Sequence, residues 1–406
     1  MRRRPRNPSS PRVLVGLVML ASGVAQGFGR FTYPLLLPAI NSDLLHSYAL
    51  AGLIGTANVA AYLAGTFAVA LAARRAEPAA LIRRGLVATC LGLDLLSVAH
   101  GPLLLAVGLA CTGIGGAFIW VPAPGLSGSV VSARRRGMAI GLTGAGIGVS
   151  IVFASTLTTA LQHVPGAGSW RVIWLVKLGI SVATLALCQL LLHVPRDELD
   201  LPAVRMDALR HVPGWLGVVG AYSAYGLSYS IFINYLVSAL KEDSGFSAGH
   251  AFADYTLLGL ALITGGILLG PVSDRHGRRR ILIAGYLGLA AAPLLVLIGA
   301  DPWVALGAVV FGTAMSGLPT VIAAHLSDHL SAHEFGAAFG SITLCFGLAQ
   351  LFGPPLGGWL AQLSGSFRLP FLVAAALAAL GALSSRTLPH PSATALPTSH
   401  DRKDSL

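Results

Sequence analysis

The sequence predicts an all-α integral membrane protein of twelve transmembrane helices in two six-helix bundles. Three observations carry this. Of 406 residues, 54% are hydrophobic and only 11% are charged, against about 25% charged in a soluble domain. The apolar residues come in continuous runs of roughly 20, enough to cross a bilayer as helices, without the alternation that a transmembrane barrel requires. The Lys and Arg residues collect on every second connection between the runs. This composition excludes a soluble globular domain and a disordered chain. The 49 glycines suit helices that pack closely in lipid.

Taken in order, the spans fall at about 13–40, 48–73, 80–100, 102–131, 137–163, 170–193, 214–240, 250–272, 280–299, 302–326, 336–363 and 368–388. With the N-terminus in the cytoplasm, the inner segments hold Arg2, Arg3, Arg4, Arg6, Arg12, Arg74, Arg75, Arg83, Arg84, Arg134, Arg135 and Arg136. They also hold Arg196, Arg205, Arg210, Arg275, Arg278, Arg279, Arg280, Arg386, Arg402 and Lys403. That is 22 of the 27 Lys and Arg. The outer segments hold Arg171, Lys241 and Arg368, while Arg30 and Lys177 fall within spans. This asymmetry is the positive-inside pattern of a multi-pass inner-membrane protein with both termini cytoplasmic. The net charge of +11 is therefore topology and implies no nucleic-acid partner. Residues 1–20 also resemble a signal peptide, with Gly23-Val24-Ala25 as a small-residue cleavage site. The apolar run continues to Ile40, and the charge asymmetry is clearest with span 1 retained. Cys90, Cys111, Cys188 and Cys345 all lie in spans and form no disulfide or metal framework.

The polar stretch 195–213 has six spans on each side. It divides the chain into an N-terminal bundle (1–194), a cytoplasmic linker (195–213), a C-terminal bundle (214–390) and a cytoplasmic tail (391–406). An internal repeat runs at an offset of 199. Gly27 and Arg30 fall on Gly226 and Tyr229; Gly113 falls on Gly312; Gly137, Gly141 and Gly148 fall on Gly336, Gly340 and Gly347. Parallel repeats of six helices are one architecture of secondary transporters.

Residues 270–280 read G-P-V-S-D-R-H-G-R-R-R on the basic side, between spans 8 and 9. This resembles the loop signature of the major facilitator superfamily. Gly277 suits a tight turn, and Asp274 suits charge-assisted bonds from a neighbouring arginine. The resemblance implies that Asp274, Arg275, Gly277 and Arg278 brace a cytoplasmic gate. The equivalent turn of the first half, L-A-A-R-R-A-E-P at 71–78, has no Asp in that position. Residues 353–358, G-P-P-L-G-G, resemble the Gly-Pro motif of drug/proton antiporters, but in span 11 rather than span 5, so they read as a hinge or packing feature. Residues 27–38, G-F-G-R-F-T-Y-P-L-L-L-P, resemble the first helix of the YbfB/YjiJ-type branch, which implies a transporter without fixing its substrate.

An ionisable residue inside a span is expensive and marks a candidate functional site. Arg30, Asp94 and Lys177 fall at similar depth in the first bundle. Asp94 and Lys177 read as partners, with Lys177 snorkelling to the interface as the alternative. That leaves Arg30 uncompensated. Ser22, Gln26, Arg30 and Tyr33 share one helix face, so Arg30, with Gln26 and Tyr33, is expected to face a cavity and bind an anion; a structural tie between helices is the alternative. The resemblance favours this, because spans 1, 4, 7 and 10 line the cavity in that family. Tyr222, Tyr225 and Tyr229 share a face of span 7, and Tyr229, as repeat-mate of Arg30, is expected to approach from the opposite side. Trp120 and Asn234 are further lining candidates, with Asn58 and Tyr62 behind them. Asp94, Lys177 and Asp254 are the candidates for an intramembrane ion pair or for coupling; His325 and His100 sit at span ends.

The expected function is a secondary active transporter of a small organic anion, working by alternating access, with the proton as coupling ion at the level of the family resemblance. The alternative is a multidrug/proton antiporter exporting lipophilic compounds. No motif for an enzyme or a nucleotide-driven pump is present, and no cofactor or metal is implied.

Overall fold

In the computed structural model, residues 10–72, 76–132, 135–162, 169–192 and 206–389 are described. Arg2, Arg3, Arg4, Arg6, Arg74, Arg75, Arg134, Arg196, Arg205, Arg402 and Lys403 lie outside the described residues, as do the linker up to residue 205 and the tail from 390. Among the described residues every regular element is a helix.

Twelve long helical segments follow one another: α1 (Pro11–Leu45), α2 (Tyr48–Ala72), α3 (Pro78–Ser97), α4 (Pro102–Ser129), α5 (Arg136–Leu161), α6 (Trp170–Leu191), α7 (Trp215–Glu242), α8 (Ala248–His276), α9 (Arg278–Val296), α10 (Trp303–Ser327), α11 (Ala332–Ser364) and α12 (Arg368–Ser385). All but α3 combine span length with uniform hydrophobicity; α3 is long enough but carries Arg83, Arg84 and Asp94. Local chemistry sets the starts. Pro11, Pro78 and Pro102 occupy first-turn positions, where the missing N–H costs nothing. Ser169 and Ser247 cap α6 and α8 with their hydroxyls, and Ser331 with Glu334 forms a capping box on α11. Gly277 ends α8 and begins α9 at φ 90°, a conformation that favours glycine.

The repeat is visible in the packing. Within the first bundle α1 packs on α5, α2 on α4, α3 on α4, and α3 on α6; within the second, α7 packs on α11, α8 on α10, α9 on α10, and α9 on α12. Repeat-mates meet equivalent neighbours. A Cβ at Gly113 would lie 2.2 Å from the Asn58 carbonyl oxygen, and one at Gly312 2.3 Å from that of Leu258. A Cβ at Gly148 would lie 2.4 Å from Ile263, and one at Gly347 2.5 Å from Leu63. The bundles meet along α5 with α8, α2 with α11, and α1 with α7. Leucines such as Leu71, Leu103 and Leu216 stay exposed, as a surface facing lipid tails permits.

Candidate functional site

Helix α1 is interrupted where Arg30 sits. Pro34 has no N–H for the carbonyl of Arg30, and its ring crowds that position. The chain runs as an α-helix over Pro11–Ser22, widens into a π-helical turn over Gly23–Phe28, turns through 29–31 and resumes over Thr32–Ile40. Inside a bilayer, carbonyls freed by such a break need partners from the protein. Thr32 Oγ1 donates to the Gly27 carbonyl (2.9 Å). Asn58 Nδ2 (3.2 Å) and Thr112 Oγ1 (2.9 Å) donate to that of Gly29. The Tyr255 hydroxyl donates to that of Phe31 (2.9 Å). Thus α2, α4 and α8 converge on one break in α1. Close approach to α5 needs glycine: a Cβ at Gly27 would fall 1.6 Å from Ser150 Oγ.

Arg30 projects from this break toward α7. Its Nη2 donates to the Tyr229 hydroxyl at 3.2 Å, and its guanidinium carbon lies 5.5 Å from the Tyr62 ring centroid and 5.8 Å from that of Phe31. Among the described residues it makes no salt bridge. A guanidinium carries five N–H donors, so positive charge and donors remain for a ligand. Tyr229 also accepts a hydrogen bond from Gln350 Nε2. Below it the rings of Tyr225 and Tyr222 continue a stack at 5.0 and 5.7 Å, flanked by Phe346 at 4.8–5.8 Å.

The space between Arg30 and α7 is lined by polar Tyr33, Asn58, Tyr229, Asn234 and Gln350, and by apolar Phe31, Pro34, Val59, Leu109, Ile233 and Pro354. Its volume is about 20 Å³, room for one water molecule. An organic solute fits only when the helices separate.

Of the residues expected at a substrate site, Arg30, Tyr33, Tyr229 and Asn234 line this cavity. Four do not. Gln26 is buried beside α4, near Gly116. Tyr225 gives its hydroxyl to the Met315 carbonyl (2.7 Å), and Tyr222 sits behind it in the stack. Trp120 is half-buried at the kink where Pro122 breaks α4. Gln350 is the polar lining residue that the sequence did not single out; an amide in the middle of an apolar span was the available signal.

The expected Asp94–Lys177 pair is not formed. Asp94 is exposed and lies on the same face of α3 as the exposed Val87, Leu91 and Val98. Lys177 is fully buried and does not snorkel. It lies on the buried stripe Trp170, Trp174, Lys177, Ser181, Thr184, Cys188 of α6. Its Nζ donates to Thr32 Oγ1 at 2.6 Å, with the rings of Phe28 and Trp174 at 5.4 and 5.6 Å. Lys177 thereby supports the break in α1 from behind. Asp254 is buried near the start of α8, away from the cavity lining, within reach of His250 and Asp301.

The side of the molecule that carries the arginine-rich turns is here called the basic face, and its opposite the far face. Hydrogen bonds that cross between the bundles lie at the cavity or beyond it toward the far face: Arg30–Tyr229, Tyr255–Phe31, Ser155–Thr256, and Tyr48 with Gln362 and Glu242. Among the described residues none crosses nearer the basic face. Helix α5 shows the parting. Gly148 touches α8, but Gly144, Gly141 and Gly137, further along toward the basic face, meet open space. The conformation is sealed at the far face and parted at the basic face.

At the basic face Arg278 bonds Asp274, the Ser273 hydroxyl and Asp328, the last at 2.9 Å. This ties the α8–α9 turn to the end of α10 inside the second bundle. Arg275 is exposed. Asp328 is a partner that the loop motif alone does not reveal.

The family model described as "Uncharacterised MFS-type transporter YbfB" matches residues 22–386. The chain belongs to that family. It is therefore a member of the major facilitator superfamily. It is similar to monocarboxylate transporter 13 of Bos taurus, 27% identical over 352 residues, 79% of this chain and 76% of the relative. It is similar to the class C tetracycline resistance protein of Escherichia coli, 35% identical over 124 residues, 29% of each chain. The chain spans about a third or less of the length of that relative and of two others. Among solved structures, a bacterial homologue of the human lysosomal transporter Spinster, inward-facing and unoccupied, superposes with TM-score 0.75 at 16% identity, covering 93% of this chain and 97% of that one. That likeness supports the fold.

Proposed function

We propose that this major facilitator transporter is a secondary active carrier of a small organic anion. The observation that carries the reading is Arg30: a permanent cation in the broken first helix, facing the cavity, bonded to the Tyr229 hydroxyl and, among the described residues, to no carboxylate. Half-broken helices at the midplane are where carriers of this architecture bind substrate. The Tyr229 ring and the apolar lining suit a carbon skeleton attached to the anionic group. The match to a monocarboxylate transporter over most of the chain supports the same substrate class.

The basic face is cytoplasmic by the positive-inside pattern, in the inner membrane, with both termini inside. The structure is then inward-facing, and transport alternates between this state and one in which the far-face seal opens. The proton is the coupling ion in this reading. Lys177 is its carrier, as the ionisable amine buried against the same break that presents Arg30. The N-terminal bundle (1–194) and C-terminal bundle (214–390) are the moving bodies, and the cluster of Asp274, Arg275, Gly277 and Arg278 belongs to the cytoplasmic gate.

The tetracycline resistance relative favours a second reading, export of lipophilic drugs in exchange for protons. A thermal-shift panel of carboxylates, phosphonates, cations and neutral drugs on the purified protein separates the two. A ligand of the native state raises the melting point by mass action. Stabilisation by anions in the wild type but not in Arg30→Ala supports the anion carrier. Stabilisation by lipophilic drugs alone, equal in both proteins, overturns it.

A further inference from the structure

A second cluster stands apart from the cavity, at the far end of the C-terminal bundle. His250 and Asp254 are four residues apart on the first turns of α8, so their side chains share one helix face. Asp301, in the turn between α9 and α10, completes the group. The donor atoms of the three lie within 4.8 Å of one another, and His250 Nε2 is 2.5 Å from Asp301 Oδ2. Acidic clusters by themselves are commonplace. Here one member differs: Asp254 is 2% exposed, and its Oδ2 is buried with no hydrogen-bond partner. A buried carboxylate oxygen left unpartnered is costly. His250 and Asp301 are open to solvent on the other side, which provides an entry path. The transport reading makes no use of these residues.

We propose that His250, Asp254 and Asp301 bind a first-row divalent transition cation of the Zn²⁺ type. Imidazole nitrogen with carboxylate oxygen is a donor set suited to Zn²⁺ and its neighbours rather than to Ca²⁺ or Mg²⁺. Bonds of about 2.0–2.2 Å place tetrahedral ligand atoms roughly 3.3–3.5 Å apart. Binding therefore draws Asp254 toward the pair and spreads His250 from Asp301 by a little under 1 Å, with water as the fourth ligand. The cation supplies the missing partner of Asp254 and clasps the far end of α8 to the α9–α10 turn. The next two residues of α8, Tyr255 and Thr256, bond across to Phe31 of α1 and Ser155 of α5. Occupancy thus bears on the helix that seals the far face.

The test uses the full-length protein in detergent, carrying an affinity tag without histidine, with Co²⁺ as spectroscopic probe and Zn²⁺ as competitor. Equilibrium dialysis and visible absorption are expected to give one Co²⁺ per chain, displaced by Zn²⁺. Changes in an outer shell alone typically cost 10–100-fold in affinity, so His250→Gln and Asp301→Asn are each expected to weaken binding at least about tenfold, while His329→Gln at the opposite face leaves it unchanged. Asp254→Asn is expected to act likewise; if that variant does not fold, the two exposed positions still decide. Binding that is absent in the wild type, or unchanged in His250→Gln and Asp301→Asn, overturns the proposal. Neither result depends on whether Arg30 binds an anion.

Discussion

Arg30 and Tyr229 stand 199 residues apart in the chain, and Arg30 Nη2 donates to the Tyr229 hydroxyl at 3.2 Å. That separation is the offset of the internal repeat. The hydrogen bond therefore joins the same position of the two halves across the axis that relates them. One repeat-mate carries charge and the other carries a hydroxyl on an aromatic stack, so the duplicated scaffold presents an asymmetric pair to its cavity.

The first prediction concerns the charge. A hydrogen bond to a charged group contributes about 1.5–3 kcal/mol, so Arg30→Ala should weaken binding of an organic anion roughly 10- to 150-fold. Arg30→Lys keeps the charge but loses the planar fork, and should recover only part of the affinity. Titration calorimetry with the best anion of the thermal-shift panel measures both. Equal affinity in wild type and Arg30→Ala would remove Arg30 from the site.

Tyr229→Phe deletes one oxygen and keeps the stack. It removes a partner of Arg30 and of Gln350 together. The expected loss is about 1 kcal/mol, near fivefold in affinity. Gln350→Leu in the same background should then add little, because both changes act on one hydroxyl. A double-mutant cycle reads this coupling; full additivity would show that Gln350 acts separately.

How much of this was legible in the sequence depends on which coordinate was asked for. The twelve helices were legible because continuous apolar runs and basic turns report depth along the membrane normal. The cavity position of Arg30 was legible because a permanent charge at that depth has few places to go. The Asp94–Lys177 pair failed because depth says nothing about azimuth: the two residues share a level, but one faces outward from α3 and the other inward from α6. Gln350 and Phe346 were hidden because α11 is apolar nearly all round. The cluster of His250, Asp254 and Asp301 was half visible, as a His and an Asp four apart on a helix. Its third member comes from a turn that only the tertiary fold brings near.

Gly27 sets how closely α1 approaches α5. Gly27→Ala places a methyl 1.6 Å from Ser150 Oγ and 2.3 Å from its Cβ, a clash that the backbone must absorb. Overpacking of this kind costs about 1–3 kcal/mol. Thermal unfolding in detergent should show the loss, and Gly27→Ala with Ser150→Gly should regain most of it. Failure of the second change to rescue would mean that backbone conformation at residue 27, rather than contact with Ser150, is the constraint.

Lys177 and Thr32 predict an inverted order of stability. Thr32→Val strands both the Lys177 amine and the Gly27 carbonyl that Thr32 serves, and each unsatisfied buried group costs about 1–3 kcal/mol. Lys177→Met removes the amine and fills similar volume with an apolar chain, leaving the Thr32–Gly27 bond in place. It should change stability by less than about 1.5 kcal/mol. Melting curves rank the two variants. In proteoliposomes Lys177→Met should bind anions but no longer accumulate them under an imposed pH gradient; retained accumulation would place proton coupling elsewhere.

The last prediction concerns the far-face seal, which turns on Tyr48. Its backbone N–H donates to Gln362 Oε1 (3.1 Å), its hydroxyl bonds Glu242, and its ring meets that of Phe367 edge-on at 4.9 Å. All three partners belong to the second bundle, so Tyr48 holds the halves together on the side where the cavity is closed. Tyr48→Ala leaves the backbone bond and removes the hydroxyl bond and the ring contact, each contributing about 0.5–1.5 kcal/mol. Together they amount to about 2 kcal/mol, which shifts a two-state balance toward the far-open form by roughly 30-fold. A cysteine at Ile233, which lines the cavity, reports the shift in a background where Cys90, Cys111, Cys188 and Cys345 are replaced by serine or alanine. A membrane-impermeant maleimide added at the far face should label it slowly when Tyr48 is intact, severalfold faster in Tyr48→Phe, and faster again in Tyr48→Ala. The graded order separates the hydroxyl from the ring. A labelling rate indifferent to both substitutions would mean that the seal rests on the packing of α2 against α11 rather than on this residue.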